Sequence, residues 1–228
     1  MLASAPKKRQ SDTAYDGLRT AIIRADLKPG SPINERECME MLSVGRTPLR
    51  EALQRLAQED LVLSVPQRGY FVSATSAADF FHLHEFRLHS EILSVRMAAV
   101  RITPAQLAEF AALMAEARAG VDERQPDINW HLGIDERMHR LVAQASGNHY
   151  LAQALTRLYA LSVRSLYVAH MPVTLMQDEL DNFDAIRSAL EAHDPDRAER
   201  AMRDHLTISG VDVVRPAKVP PARQPTEA

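Results

Sequence analysis

Apolar residues recur at helical spacing three times near the start of the chain. Residues 1–10 read as a disordered arm. Behind it, Tyr15, Leu18, Ile22 and Ile23 share one face of a helix that Ser11 or Asp12 can cap. Lys28-Pro29-Gly30 is a stop signal. Asn34 can cap a short second helix over 35–42, with Met39 and Leu42 inward. Ser43-Val44-Gly45 reads as a tight turn. A third helix over about 47–60 carries Leu49, Leu53 and Leu56 as its buried stripe, and Pro48 is tolerated in its first turn. The period then changes. Two extended runs, 61–65 and 70–73, flank Pro66-Gln67-Arg68-Gly69, which reads as a hairpin with Gly69 at its tip. Three helices followed by a hairpin is the layout of a winged helix-turn-helix, assigned here to 11–76.

From Ser76 onward the pattern is helical throughout. Ser76 can cap a long helix over 77 to about 101. Thr103 and Gln106 form a capping box with Pro104 at the first helical position. A polar loop is expected at 122–127, then a helix over 128–146 stopped by Gly147. Asn148 can cap the next, to about 170. Pro172 opens another, to 193, and Asp194-Pro195 starts a last one through His205. About six helices with short connections predict an all-α bundle over 77–212. The tail, 213–228, holds four prolines and reads as disordered. The fold class is therefore mainly α: a winged helix-turn-helix followed by a helical bundle.

Composition adds compartment and partner. The chain is 46% hydrophobic, enough for packed cores. Its one cysteine, Cys38, excludes an internal disulfide and suits a reducing compartment as a small apolar filler. The first residues lack the apolar run of a secretory signal, and no apolar stretch approaches a membrane span, so a cytoplasmic location is expected. Residues 1–76 hold 11 Lys and Arg against 9 Asp and Glu; the remainder holds 16 against 21. That mild asymmetry permits nucleic-acid binding at the N-terminal end without establishing it.

The segment 32–70 carries the most chemistry. Its turn sends the N-terminal half of the third helix outward, where a major groove can receive it. Arg46, Thr47 and Arg50 lie there; arginine can bond a guanine edge bidentately or clamp a phosphate. Arg36 stands at the start of the second helix. Arg68 and Gly69 stand in the wing, where a small residue lets the main chain approach a minor groove. Each arginine taken singly is compatible with a merely solvated face; the combination on a helix, turn and wing is what points to DNA. The run Leu42-Ser43-Val44-Gly45-Arg46-Thr47-Pro48-Leu49-Arg50-Glu51-Ala52-Leu53, with Glu35-Arg36-Glu37 and Gln67-Arg68-Gly69-Tyr70-Phe71-Val72, resembles the signature of the GntR family of bacterial regulators. The resemblance covers about 12–76. It implies that Arg36, Arg46, Thr47, Arg50 and Gly69 contact operator DNA. It also implies a homodimer on a palindromic site. Gly45 stands where that family usually has Ser or Thr, which weakens a helix cap.

In the second half, Asp135 and His139 are i and i+4 on one helix, bordered by Ile134, Met138, Leu141 and Val142. Polar groups facing a bundle interior need partners. A divalent metal, with His205 arriving from the last helix, is one solution; a hydrogen-bonded Asp–His pair is the other. Glu85-Phe86-Arg87, Asp135-x3-His139, His193-Asp194-Pro195 and the run from Ala201 to Leu206 resemble the FCD subgroup of the same family, over about 78–210. That resemblance implies a small organic-acid effector bound by Arg87, Asp135, His139 and His205. It also implies a metal of Zn, Ni or Mn type held by an Asp and three His. Phe183 stands where the middle histidine should be, leaving two His and one carboxylate. Arg87 has a plainer alternative, a surface ion pair with Glu91 at i+4. Arg164 and Tyr167 are further candidates for lining a cavity, and His82, His84 and His89 read as surface. The rival function is a metal-dependent enzyme on the same three ligands. No nucleophile motif, phosphate loop or paired catalytic carboxylates accompany them.

Overall fold

The computed structural model describes residues 9–123, 128–168 and 177–208. The chain divides into two compact units, one of residues 1–80 with 157–172, the other of 81–156 with 173–228.

The first unit begins with α1 (Gln10–Ile23), α2 (Glu35–Leu42) and α3 (Arg46–Gln58), followed by β1 (Val62–Val65) and β2 (Gly69–Val72). Ala14, Leu18 and Ile22 of α1 and Leu49, Ala52, Leu53 and Leu56 of α3 are completely buried. Each large side chain in that layer contributes about 1.5–3 kcal/mol by leaving water. Helix α1 starts one residue before the expected caps, after Arg9, which offers no side-chain cap. Asp12 instead lies in the first turn, where it favours the helix dipole and accepts from Arg55 Nη1 at 2.9 Å. Tyr15 donates to Glu59 Oε1 at 2.7 Å, and Arg55 lies over its ring at 3.9 Å.

Asn34 caps α2 as expected, its Oδ1 accepting from the backbone N–H of Arg36 and Glu37. The inward position on this helix is Cys38, whereas Met39 and Leu42 are half-buried: eight residues expose only one position fully to the core. Ser43 turns the chain in the left-handed region (φ 53°), and Gly45 caps α3 without a side-chain bond. The hairpin is antiparallel, pairing Val62 with Val72 and Val65 with Gly69. Gly69 is thus the first residue of β2 rather than the tip, and Gln67 (φ 62°) makes the reversal. The loop after α1 joins the wing: Ile33 N donates to Tyr70 O at 2.8 Å and Val72 N to Ser31 O at 2.9 Å. No hydrophobic pattern announced this added edge, because it is a backbone pairing.

The second half of α7 (His149–Val168) groups with this unit. Arg157 pairs with Asp60, and buried Arg164 donates to the Ser73 carbonyl at 3.2 Å. Arg164 therefore anchors the strand exit, and Tyr167 lies in the same unit. Burial lowers the Arg164 pKa from its ordinary value.

The second unit takes most of α4 (Ala77–Arg101), then α5 (Pro104–Glu123), α6 (Ile128–Ala145), the first half of α7, α8 (Gln177–Glu191) and α9 (Pro195–Ile208). The caps read from the sequence are in place: Thr103 with Gln106, Asn148 accepting from Leu151 N, and Asp194 accepting from Asp196 N and Arg197 N. Ser76 exchanges bonds with Asp79 at the start of α4. Helix α5 runs two residues into the expected loop, and α8 closes at Glu191 with His193 left-handed. The core joins Val95 and Ala98 of α4, Phe110 of α5, Met138 and Val142 of α6, Ile186 and Leu190 of α8 and Met202 of α9. The expected N-terminal arm up to residue 8, the Pro172 helix start and the proline-bearing tail lie outside the described residues.

Candidate functional site

Two sets of polar residues stand out, one exposed and one buried. The exposed set is the outer end of α3 with its surroundings. While Leu49, Leu53 and Leu56 are buried, Arg46, Thr47 and Arg50 on the same helix are exposed. Arg50 meets Glu35 through two bonds, Nε to Oε2 at 3.0 Å and Nη2 to Oε1 at 3.2 Å. Arg36 meets Glu40 at 3.0 Å. Arg46 and Arg68 carry no ion pair among the described residues, and Gly69 (φ 89°) has open space where a Cβ would stand. A helix N-terminus with free donors and unpaired guanidinium groups suits a phosphate-bearing duplex.

The buried set is built from α4, α6, α8 and α9. Glu91 of α4 is completely buried, and its Oε1 faces Arg87 Nε at 3.4 Å and His139 Nδ1 at 3.0 Å. The Arg87–Glu91 pair, the plainer alternative for Arg87, is thus present, but in the interior rather than at the surface. Arg87 Nη2 lies 3.0 Å from His139 Nε2. A guanidinium can only donate, so His139 Nε2 must accept, and the ring proton sits on Nδ1 toward Glu91. That approach is bent rather than linear. His205 Nε2 lies 3.0 Å from the same His139 Nε2. Asp135 Oδ1 is farther off, 3.6 Å from His139 Nε2 and 3.8 Å from His205 Nε2.

Burial works to raise the Glu91 pKa, but His139, Arg87 and His205 together outweigh it and hold the carboxyl below its ordinary value. Burial, then the neighbouring His139 and Arg87, pushes His205 well below the ordinary imidazole value, which leaves it neutral near pH 7. Sequence reading missed Glu91 as a member of the site. Its signal was present: Val95, Ala98 and Ile102 continue its face of α4 into the core, so position 91 points inward too. Ser94, also on α4, is buried, and its Oγ has no hydrogen bond among the described residues. His82 and His89 are exposed as expected, but His84 is half-buried, and burial, with Arg87 nearby, lowers its pKa.

Asp135, His139 and His205 fit a divalent metal. Their three ligand atoms form a triangle with sides of 3.0, 3.6 and 3.8 Å. The centre of such a triangle is about 2 Å from each corner, the length of a metal–imidazole or metal–carboxylate bond. Glu91 behind His139 is the outer carboxylate that such a ligand ordinarily has. The ring of Phe183 lies over the set, its centroid 4.4 Å from His205 and 5.7 Å from His139. It offers no ligand and walls that side with carbon.

A winged helix with an exposed, arginine-bearing α3, joined to a helical unit with a buried polar cluster, defines an effector-domain DNA-binding regulator. The chain matches the family of bacterial regulatory proteins called gntR over residues 10–72 and the FCD domain over residues 82–207. It belongs to the GntR family, in the group that carries an FCD domain, and is a DNA-binding transcriptional regulator, not an enzyme. It is 31% identical over 205 residues to the HTH-type transcriptional repressor RspR of Escherichia coli K12, covering 88% of this chain and 87% of that one. It is 28% identical over 216 residues to the repressor GlaR of the same organism, covering 90% and 97%. Among solved structures, E. coli McbR/YncC shares the fold with a TM-score of 0.76 at 18% identity, covering 88% of this chain and 95% of that one. No helix among the described residues is long and apolar enough to cross a membrane.

Proposed function

We propose that this regulator is a cytoplasmic repressor that binds a palindromic operator as a homodimer and releases it when a small carboxylic acid enters the helical unit. Residues 11–76 are the DNA-binding domain and 77–212 the effector and dimerisation domain. The observation that carries the reading is the two-sidedness of α3: a fully buried leucine face, and Arg46, Thr47 and Arg50 exposed on the other. In this assignment they meet base edges and phosphates, Arg36 clamps the adjacent backbone, and Arg68 and Gly69 bring the wing to a groove. Two copies are needed because one helix reads only a few base pairs. The exposed Phe86, Leu93 and Val100 recur every seven residues along α4, the spacing of a helix-pairing seam, and favour a second copy as partner.

Asp135, His139 and His205 would hold a divalent ion of Zn, Ni or Mn type; when bound, it supplies positive charge for the acid's oxygens. Arg87 receives the carboxylate, Glu91 orients Arg87 and His139, and Phe183 with the core apolar residues excludes water. Acid binding weakens DNA binding only if the two protein conformations hold the acid with different affinity, typically by about 1–3 kcal/mol of coupling. The test is fluorescence anisotropy on the operator with a panel of small carboxylic acids, on metal-loaded and chelated protein. An acid that releases the operator supports the proposal. Operator binding unmoved by every acid, or a monomer in sedimentation both free and on DNA, counts against it.

A further inference from the structure

The lone pair of His139 Nε2 is claimed twice. In the ion-free cluster it accepts from Arg87 Nη2 at 3.0 Å, with His205 Nε2 at the same distance. The metal reading needs that same lone pair for the ion. Both cannot hold it, because one nitrogen lone pair makes one strong directed bond. Arg87 is also tethered on its other side, by Nε to Glu91 Oε1 at 3.4 Å, so a guanidinium released from His139 stays in the cluster.

We propose that Arg87 is an internal competitor of the metal, holding the His139 Nε2 lone pair in the ion-free site and passing to the effector's carboxylate when an ion takes that lone pair. The inference rests on the metal reading above. It makes the acid and the ion bind cooperatively: each needs the other to complete the exchange, and the ion-free pocket closes on itself.

The test uses the full chain stripped by chelator. Affinity for Ni²⁺ alone is measured by competition with a metal-binding dye, for wild type, Arg87→Met and Arg87→Lys. Methionine removes both charge and donor; lysine keeps the charge near Glu91 but loses the fork that reaches His139. Tightening of tenfold or more in Arg87→Met, with a smaller tightening in Arg87→Lys, is expected. Tightening confined to Arg87→Met would mean charge repulsion alone and would overturn the competitor role, as would equal affinities for all three. Nitrogen-15 NMR of the ion-free wild type gives a reading that does not depend on any variant folding. His139 protonated at Nδ1 and bare at Nε2 is expected, and the opposite tautomer overturns the proposal. If neither wild type nor either variant takes up the ion, the metal reading itself fails and this inference falls with it. Uptake with unchanged affinity sinks the inference alone.

Discussion

Arg36–Glu40 in the first unit and Arg87–Glu91 in the second are arginine–glutamate pairs of the same i,i+4 spacing. Arg36 and Glu40 lie 3.0 Å apart with side chains 84% and 66% exposed. Arg87 and Glu91 lie 3.4 Å apart with side chains 11% and 0% exposed. The shorter contact is the weaker one. In water, the exposed pair is screened and gives up side-chain entropy, so it is worth about 0–1 kcal/mol at most. In the interior, losing Arg87 leaves the buried Glu91 carboxylate with the His139 ring beside it but no guanidinium, at a cost of about 3–5 kcal/mol. Distance ranks these two pairs wrongly; burial ranks them correctly. On the proposed function the same contrast separates their uses: an exposed arginine leaves its partner at little cost to meet DNA, while the buried one would exchange partners only when something of suitable charge enters.

The largest expected effect is on the exposed side. Arg46→Ala with Arg50→Ala removes two contacts per subunit at about 1–3 kcal/mol per base contact, doubled in a dimer. Specific operator binding at fixed salt should fall by at least two orders of magnitude, while the melting temperature stays within about 2 °C of wild type. Arg50 must leave Glu35 to reach DNA, so its share should be the smaller of the two. Unchanged operator affinity would remove α3 from the reading role.

On the buried side, Arg87→Ala should cost about 3–5 kcal/mol of folding stability in urea titration, whereas Arg36→Ala should cost under about 1 kcal/mol. Equal losses for the two variants would mean that the interior pair is solvated, and the contrast drawn above would collapse.

The two regions also differ in how far the sequence revealed them. The proposed reading face is local: every member lies within 32–70, and a turn, a capping residue and a leucine stripe orient Arg46 and Arg50 without distant information. The cluster depends on contacts between residues 52 and 66 positions apart, Arg87 with His139 and His139 with His205. Spacing on α6 brought out Asp135 and His139, but periodicity alone cannot say what crosses from α4. A surface pair with Glu91 therefore stays open in the sequence as the plainer alternative for Arg87. The bond from Arg164 to the Ser73 carbonyl joins residues 91 positions apart and has no signature in the local pattern. The backbone pairing of Ile33 with Tyr70 left no side-chain pattern to read.

Phe183 offers a change of intermediate size. Its ring packs against both histidines, so Phe183→His places a third imidazole, and a fourth ligand, beside the three-ligand set. Ni²⁺ affinity, measured against a competing chelator, should rise about tenfold or more as the shell gains a protein ligand. The variant should also lose some stability without metal, because a carbon ring becomes a polar one in a buried place. Affinity no better than wild type would show that position 183 does not face the ion.

The smallest expected effect tests a turn in the reading domain. Gly45 caps α3 with φ −80° and ψ 172°, an extended conformation that any residue adopts, and it makes no side-chain bond to the helix. A Cβ there would meet only Pro48 Cδ and Cγ, at 3.8 and 3.9 Å, which is ordinary contact. Gly45→Ser therefore introduces a hydroxyl that can accept from an unpaired N–H of the first turn, at no steric cost. The serine also restricts the unfolded chain more than glycine does, which adds in the same direction. Exchanges between serine and glycine at caps are worth a few tenths of a kcal/mol. For a domain of this size that is about 1–3 °C in melting temperature, upward. The measurement is calorimetry of wild type and Gly45→Ser under identical buffer and salt, with operator affinity followed in parallel because Arg46 is the next residue. A lower melting temperature would mean that the first turn of α3 is not built as described.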